Sequence, residues 1–168
     1  LTGAAGYTGR DVAAELVRDG HDVTALVRVD RGAIPGCRML VGTIGQLDDA
    51  TLSEVAQADA VVHLASTRTV DREVVLFYDI RGTASLMDAW RRGPFVYLST
   101  TTVHGRPEGV LTERTPVAPT DWYDVGKVAC EVELSLACGR DGRGAGIALR
   151  PALAFAGNER GLDRQYLG

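Results

Sequence analysis

A phenol and an ammonium lie four residues apart in the segment Trp122–Lys127. They belong to Tyr123 and Lys127. On a helix, side chains at i and i+4 project from the same face, so this pair can act on one small site. If that site holds a carbonyl or an alcohol, the phenol can exchange a proton with it and the ammonium can favour the phenolate. Such pairs also occur on exposed helix faces, so the surrounding elements must decide.

Composition limits the class of protein. The 168 residues, 45% of them hydrophobic, suit one well-packed domain. The net charge is -4 with scattered arginines, so we expect no nucleic acid partner. Three cysteines form no C-x-x-C pair, which indicates reduced thiols and a cytoplasmic protein, and we predict no metal site. No apolar run reaches the roughly 18 residues of a membrane helix, so we expect no membrane partner.

A glycine-rich turn opens the chain. Glycines stand at positions 3, 6 and 9, and residues 10–19 show helical spacing that ends at Gly20. Such glycines allow a tight turn and a close approach to a pyrophosphate, and the helix N-terminus favours negative charge. The spacing is G-x-x-G-x-x-G rather than G-x-G-x-x-G, but it predicts the same phosphate site.

Arg28 ends the next predicted strand, residues 22–27. The residue at this place faces the adenosine ribose in dinucleotide-binding sheets. An arginine there complements the 2′-phosphate of NADP, whereas an acidic residue would bind the free hydroxyl of NAD. Arg28 therefore favours NADP, and Asp30 keeps NAD open as the alternative.

The remaining elements alternate between strand and helix. Strands are predicted at 38–41, 60–65, 95–98 and 146–151, and helices at 47–56, 79–90 and from Tyr123 to Gly139. This alternation predicts an α/β fold with a doubly wound parallel sheet. Polar loops at 65–67 and 99–102 follow two of the strands, at the edge where such sheets bind ligands. A proline-containing loop, 108–121, is expected to cover the site.

Six motifs in this order resemble the extended short-chain dehydrogenase/reductase superfamily, the NAD(P)-dependent epimerase/dehydratase group. The resemblance runs from Thr2 to about Gly157 and implies a Rossmann fold. The motifs are Thr2-Gly-x-x-Gly-x-x-Gly9, Val62-His63-Leu64-Ala65, Arg81-Gly82-Thr83, Ser99-Thr100 ahead of Val103-His104-Gly105, Tyr123-x-x-x-Lys127 and Leu149-Arg150-Pro151.

The resemblance implies a role for each matching residue. Tyr123 would be the general acid/base, Lys127 would favour its phenolate while bonding the nicotinamide ribose, and Thr100 would hold the reacting oxygen. Together with Arg28, the cofactor-binding set would be Gly3, Gly6, Tyr7, Thr8, Gly9, Ile44, Leu64, Ala65, Ser66, Lys127 and Pro151. Residues 1–157 would form the NAD(P)-binding domain and 158–168 the start of a truncated substrate-binding segment, because both ends of the chain look cut.

Several positions depart from the family pattern. Thr43 replaces an acidic residue that often bonds adenine, Asp79 replaces an Asn, and His104 replaces a Tyr. Family dehydratases carry an Asp-Glu pair directly after the catalytic Thr, because elimination of water needs its own acid and base. Thr101 and Thr102 stand there in this chain, which argues against a dehydratase.

Three functions remain open from the sequence. The first is an NADP-dependent reductase acting on a carbonyl of a nucleotide sugar or small metabolite, with Tyr123 as proton donor. The second is an epimerase that uses the same three residues without net redox change. The third is a non-catalytic dinucleotide-binding module on the same fold. The resemblance also implies a homodimer.

Overall fold

Strands and helices alternate along the chain, as the sequence pattern predicts. The computed structural model describes residues 1–30, 32–139 and 143–152. The strands are β1 (Val23–Val27), β2 (Cys37–Val41), β3 (Val61–His63), β4 (Phe95–Leu98) and β5 (Gly146–Leu149). The helices are α1 (Tyr7–Arg18), α2 (Asp49–Gln57), α3 (Arg72–Val74), a π-helical segment (Val75–Arg81), α4 (Gly82–Ala89) and α5 (Trp122–Cys138), with a short 3₁₀ turn at Thr101–His104.

The order of the strands reverses at Thr2. β1 pairs with β2, whereas β3, β4 and β5 form a second parallel group. Thr2 pairs in parallel with Leu26 of β1 and with His63 of β3, so it joins both groups in the order β2-β1-Thr2-β3-β4-β5. This order is that of a doubly wound dinucleotide-binding sheet, in which ligands bind at the carboxyl ends of strands beside the reversal. The predicted fold class is confirmed.

The helix before β4 differs from the sequence prediction. A helix was expected only from Asp79 to Trp90, but helical backbone begins at Arg72 and passes through the π-helical segment before α4. Gly82 marks the end of this segment, and a β-carbon there would lie 2.4 Å from Ile44 Cγ2 and 2.5 Å from the backbone nitrogen of Gly45. The glycine thus lets the helix pack directly on the loop after β2, a contact that helical periodicity does not reveal.

The largest hydrophobic cluster lies between β3, β4, α4 and α5. Trp90 and Phe95 are fully buried at its centre, with ring centroids 5.5 Å apart. The other buried members are Val61, Leu86, Met87, Tyr97, Cys130, Leu134 and Ala137. This packing fixes α5, which carries Tyr123 and Lys127, against the strand that leads to Thr100.

Two sequence predictions concern the last part of the chain. The domain boundary at Gly157 and the segment 158–168 lie outside the described residues. Both stay predictions.

Candidate active site

The glycine turn packs by backbone contact on both sides. Gly3 has a φ of 71°, and a β-carbon there would lie 2.7 Å from the backbone nitrogen of Ala65. At Gly9 a β-carbon would lie 2.0 Å from the carbonyl oxygen of Gly3. Both positions therefore require glycine. Gly6 is different, because it is exposed and forms the N-cap of α1, where the backbone is open to a ligand.

The start of α1 and the end of β1 border a cleft. Its volume is about 330 Å³, and its lining includes Ala5, Arg10, Val27, Val29 and Met39. Arg28 is exposed at the carboxyl end of β1, between two of these lining residues. Tyr7 and Thr8 begin α1, with Tyr7 exposed and Thr8 half-buried. The cleft thus joins the predicted phosphate turn to the predicted 2′-phosphate residue.

A buried imidazole ties this turn to its neighbours. His63 Nδ1 lies 2.6 Å from Thr2 Oγ1, and its Nε2 lies 2.9 Å from Thr83 Oγ1 on α4. Thr2 Oγ1 also accepts a hydrogen bond of 3.2 Å from the backbone nitrogen of Ala65. Burial lowers the pKa of His63 to about 3, and the positive charge of Lys127 acts in the same direction. His63 is therefore a neutral structural link, a role that its place in an apolar strand did not reveal.

The loop after β3 is held from the π-helical segment. Asp79 Oδ1 accepts a 2.9 Å hydrogen bond from the backbone nitrogen of Thr67, and the Thr67 hydroxyl donates to Asp79 Oδ2. The predicted cofactor-binding residues Leu64, Ala65 and Ser66 directly precede this contact and are half-buried. The Asp79 carboxylate thus accepts both the N–H and the O–H of one residue in the predicted cofactor loop.

Lys127 lies at the carboxyl end of β4. The residue is 5% exposed, and its ammonium donates a 2.7 Å hydrogen bond to the carbonyl of Leu98 and lies 5.6 Å from the centroid of the Tyr123 ring. Burial lowers the pKa of Lys127, and the carboxylates of Asp79 and Glu131 partly oppose that shift. The structure therefore brings Lys127 beside Tyr123 and bonds it to Leu98, two residues before Thr100. This is the edge where such sheets bind ligands.

Thr100 begins the 3₁₀ turn, and its hydroxyl is engaged there. Thr100 Oγ1 accepts a 3.2 Å hydrogen bond from the backbone nitrogen of Thr102 and lies 3.1 Å from Thr102 Oγ1. The Thr102 hydroxyl in turn donates to Asp124 Oδ1 over 2.6 Å. Sequence reasoning missed Asp124, because only its burial in the fold, at 2% exposure, marks it as unusual.

An ion pair fixes the other side of this turn. Arg150 Nε donates to Glu131 Oε1 over 2.9 Å, and Nη2 bonds the second carboxylate oxygen. Arg150 Nη1 also lies 3.2 Å from His104 Nε2, while His104 Nδ1 donates to the carbonyl of Pro116 over 3.1 Å. Glu131 stands one turn after Lys127 on the same helix, so Tyr123, Lys127 and Glu131 occupy positions i, i+4 and i+8 of α5.

Two further predicted residues have local partners. The carbonyl of Pro151 accepts a 3.1 Å hydrogen bond from the backbone nitrogen of Thr101. Ile44 is half-buried, and its side chain packs against the hydrophobic cluster. Their predicted contacts with a cofactor stay predictions.

The described part of the chain contains neither a metal-binding cluster nor a membrane-spanning helix. Within 1–30, 32–139 and 143–152, no three His, Cys, Asp or Glu side chains are arranged to hold a metal ion. No helix in those same ranges has both the length and the apolar character needed to cross a bilayer.

The sequence matches a known family over almost its full length. The description of that family is NAD dependent epimerase/dehydratase, and the match covers residues 1–164. The chain belongs to this family. The resemblance inferred from the six motifs is confirmed, and the chain spans about half the length of the curated relatives it matches.

Two curated relatives illustrate the range of the family. UDP-glucose 4-epimerase of Corynebacterium glutamicum is 32% identical over 148 residues, which cover 80% of this chain and 45% of the relative. dTDP-glucose 4,6-dehydratase of Streptomyces antibioticus is 32% identical over 154 residues, covering 79% and 46%. The relatives thus act on nucleotide sugars by two different reactions.

Solved structures agree on the fold. MoeE5 in complex with UDP-glucuronic acid and NAD has a TM-score of 0.76 and 27% identity, covering 89% of this chain and 52% of that chain. A short-chain dehydrogenase/reductase superfamily protein from Agrobacterium tumefaciens with bound NAD has a TM-score of 0.74 and 31% identity, covering 89% and 47%. Both similar structures contain NAD.

The residues of this chain fit such a dinucleotide. A β-carbon at Gly3 or Gly9 would meet backbone atoms, and the turn they form leaves Gly6 exposed at the start of a 12-residue helix. The first N–H groups of a helix lack intrahelical acceptors and favour a phosphate. The first turn, Tyr7–Arg10, carries no acidic residue that would repel it. The glycine turn is therefore suited to a pyrophosphate.

Proposed function

We propose that this chain carries the cofactor site and the acid–base residues of an NAD(P)-dependent enzyme acting on a nucleotide sugar. The reaction interconverts a secondary alcohol and a ketone. The observation that carries the proposal is the buried Lys127 ammonium, 5.6 Å from the Tyr123 ring centroid and bonded at the carboxyl end of β4. A surface pair would leave the lysine in water, whereas this lysine is 5% exposed.

Each residue then has a defined task. Gly3, Gly6 and Gly9 would hold the pyrophosphate, while Leu64, Ala65, Ser66 and Pro151 would line the remainder of the dinucleotide. When bound, the nicotinamide dinucleotide supplies or accepts the hydride. Tyr123 gives or takes the proton at the substrate oxygen, because its phenolate is favoured by the adjacent Lys127 charge. Thr100 holds the same oxygen in place.

Two observations favour different outcomes of this chemistry. The names of several relatives, among them UDP-glucose 4-epimerases of Corynebacterium glutamicum and Streptomyces lividans, favour epimerisation, and the NAD bound in similar solved structures favours NAD as the cofactor. Arg28, exposed beside the cleft at the end of β1, favours NADP and a net reduction. We place epimerisation first and reduction second. The Thr101 hydroxyl bonds the carbonyl of Pro151, and the Thr102 hydroxyl bonds Asp124. Neither threonine can replace the acid and the base that a dehydratase carries at these two positions.

The decisive experiment replaces the phenol. In the full chain, Tyr123→Phe should lower kcat on UDP-glucose by about 10²- to 10⁴-fold, the usual contribution of a general acid or base. NAD affinity, measured by calorimetric titration, should change by less than a few-fold. Unchanged turnover in the Phe variant would refute the assigned role of Tyr123.

Cofactor balance separates the two reactions. Turnover of UDP-glucose without net change in the dinucleotide supports an epimerase. Consumption of NADPH in proportion to product supports the reductase instead. Arg28→Glu should weaken NADPH more than NADH, and equal effects on both would remove the basis for NADP.

A homodimer is the expected assembly. Val132 and Leu136 lie one turn apart on α5 with 53% and 63% of their surfaces exposed, which suits burial against a second copy. Light scattering on the full chain tests this, and a monomer at micromolar concentration would contradict it.

A further inference from the structure

The Lys127 ammonium lies over two aromatic rings. Its Nζ is 5.6 Å from the ring centroid of Tyr123 and 5.0 Å from that of Tyr97. A cation within about 6 Å of a ring centroid is attracted by the negative face of that ring. Tyr123 already has an assigned role as the acid–base group. Tyr97 has no role so far, although it is the nearer ring and is only 2% exposed on β4.

The charge on Lys127 needs support, because the residue is buried. Burial lowers the pKa of Lys127, whereas the proposed chemistry requires its ammonium form. Three groups that face it, on α5 and on the π-helical segment, act in the opposite direction, namely Cys130, Asp79 and Glu131. The two carboxylates also bond other partners, since Asp79 accepts from the loop after β3 and Glu131 pairs with Arg150. Neither carboxylate is therefore dedicated to the ammonium.

The Tyr97 ring can support the ammonium without a charge of its own. Burial raises the pKa of Tyr97, so its phenol stays neutral near neutral pH. The imidazole of His63 on β3 stacks on this ring with centroids 5.7 Å apart, and it is also neutral, because burial lowers its pKa to about 3. The attraction between Tyr97 and Lys127 therefore depends on the face of the ring and does not need the hydroxyl.

We propose that Tyr97 is a positioning residue, whose ring face keeps Lys127 charged and beside Tyr123. The inference rests on the proposed function, because that function gives the charge on Lys127 its task. Loss of the ring should lower the pKa of Lys127, so that the lysine becomes neutral at a lower pH and no longer favours the phenolate. Tyr97→Phe keeps the ring and should retain its effect, whereas Tyr97→Leu should lose it.

The same strand contains a matched control. Phe95 is two residues before Tyr97, so both rings lie on one face of β4, and both belong to the main hydrophobic cluster. Within the described part of the chain, the ring contacts of Phe95 are with Trp90 and His63. Phe95→Leu and Tyr97→Leu each remove a buried ring, so they should lower the melting temperature by similar amounts. Only Tyr97→Leu removes a ring from beside Lys127.

Nuclear magnetic resonance forms the first test, which needs neither cofactor nor substrate. Lys127 is the only lysine among the 168 residues, so isotopically labelled lysine gives a single ε-carbon signal whose shift reports the charge of the ammonium. The midpoint of its titration should fall by about one pH unit in Tyr97→Leu. It should stay near that of the parent in Tyr97→Phe and Phe95→Leu. An unmoved midpoint in Tyr97→Leu, or an equal fall in Phe95→Leu, would overturn the inference.

The pH dependence of kcat on UDP-glucose with bound NAD forms the second test. Loss of the Lys127 charge at high pH should end activity, so the alkaline limb of the profile should move to lower pH in Tyr97→Leu and stay in place in Tyr97→Phe. A lysine midpoint that moves while this limb stays would also contradict the positioning role. If Tyr97→Leu does not fold, Tyr97→Met replaces it in both tests, because the flexible methionine side chain fills irregular space.

Failure of the proposed function has a separate signature. Tyr123→Phe would then retain full turnover, whatever the titration of Lys127 shows. The resonance titration would still report whether the Tyr97 ring holds the charge, because it measures the lysine directly.

Discussion

The two halves of the sheet build their parts of the site in different ways. Before α2 ends at Gln57, the site is built mainly from backbone, namely a glycine turn and a helix start, beside a cleft with Arg28 at its edge. After β3 begins at Val61, it consists of side chains that bond one another across the fold. All nine members of the main hydrophobic cluster lie in this second half, between residues 61 and 137. The first half buries smaller residues, namely Ala4, Ala13, Val23, Ala25, Leu26 and Val27.

This difference matches what each half is proposed to bind. A pyrophosphate is recognised by N–H groups and by close approach of the chain, which glycine permits and side chains obstruct. A proton transfer needs oriented functional groups, which only packed and bonded side chains supply. Binding and stability in the first half, which is proposed to hold the pyrophosphate, should therefore be sensitive to added atoms. The second half, which carries Thr100, Tyr123 and Lys127, should be sensitive to the loss of charges and hydrogen bonds.

The largest effect is expected from adding one methyl group to the first half. Gly9→Ala would place its β-carbon 2.0 Å from the carbonyl oxygen of Gly3, a backbone atom that cannot move alone. We expect the free energy of unfolding to fall by about 3 kcal/mol and NAD binding to be lost. Urea unfolding and NAD titration measure the two effects. Gly139→Ala is the control, because a β-carbon at Gly139 would lie 3.6 Å from its nearest neighbour, the carbonyl oxygen of Leu136. Equal stabilities of the two variants would contradict the close packing of Gly9 against Gly3.

A lost charge in the second half should come next. Glu131→Gln breaks an ion pair with Arg150 whose side chains are 11% and 25% exposed. We expect a loss of about 2 kcal/mol, somewhat less than for a fully buried pair. Asp59→Asn is the control, because Asp59 pairs with Arg92 at 94% exposure and such pairs contribute at most about 1 kcal/mol. If both variants unfold at the same urea concentration, the Glu131–Arg150 pair contributes no more to stability than the exposed Asp59–Arg92 pair.

The link between the halves should respond to pH. The pKa of His63 is about 3 in the folded protein, below its ordinary value of 6.5, because burial disfavours the charged form. Between these values the unfolded chain binds the proton and the folded chain does not. The free energy of unfolding should therefore fall by about 1.4 kcal/mol per pH unit below 6.5. His63→Gln should remove the contribution of His63 to this pH dependence, which urea unfolding at pH 5 and pH 6.5 measures. If the variant keeps the same pH dependence, the pKa of His63 is not lowered by folding.

The smallest effect should come from Asp79. Asp79→Asn keeps an acceptor for the backbone nitrogen of Thr67 but removes a charge near Lys127. We expect stability to change by less than about 1 kcal/mol and NAD affinity by only a few-fold. A large loss of NAD affinity would mean that the side-chain half also controls the cofactor loop, which would weaken the contrast between the halves.

Sequence reasoning succeeded best where function depends on backbone. The spacing of Gly3, Gly6 and Gly9 signals the turn directly, because Gly3 and Gly9 are required by close local contacts. The alternation of apolar strands with helices likewise predicted the sheet and its carboxyl edge. Tyr123 and Lys127 were found because one helical turn joins them. In each case the informative residues are close together in the chain.

The rest depends on contacts between distant segments. Asp124 is ordinary in sequence and becomes informative only when Thr102 is seen beside it, 22 residues earlier. Glu131 and Arg150 are 19 residues apart and on different elements. The π-helical segment ends where Gly82 packs on Ile44, a contact that no periodicity encodes. A single sequence contains no signal for pairs that only the fold brings together.

The two pairings of Thr2 also have a consequence for folding kinetics. Thr2 must meet Leu26, 24 residues away, and His63, 61 residues away. Each closure of a long loop costs chain entropy before its contacts form, and non-local pairings slow folding. We therefore expect β1 with β2, and β3 with β4 and β5, to form as separate units. Their docking around Thr2 would then be the late step, completed only after residue 149, the end of β5, has left the ribosome.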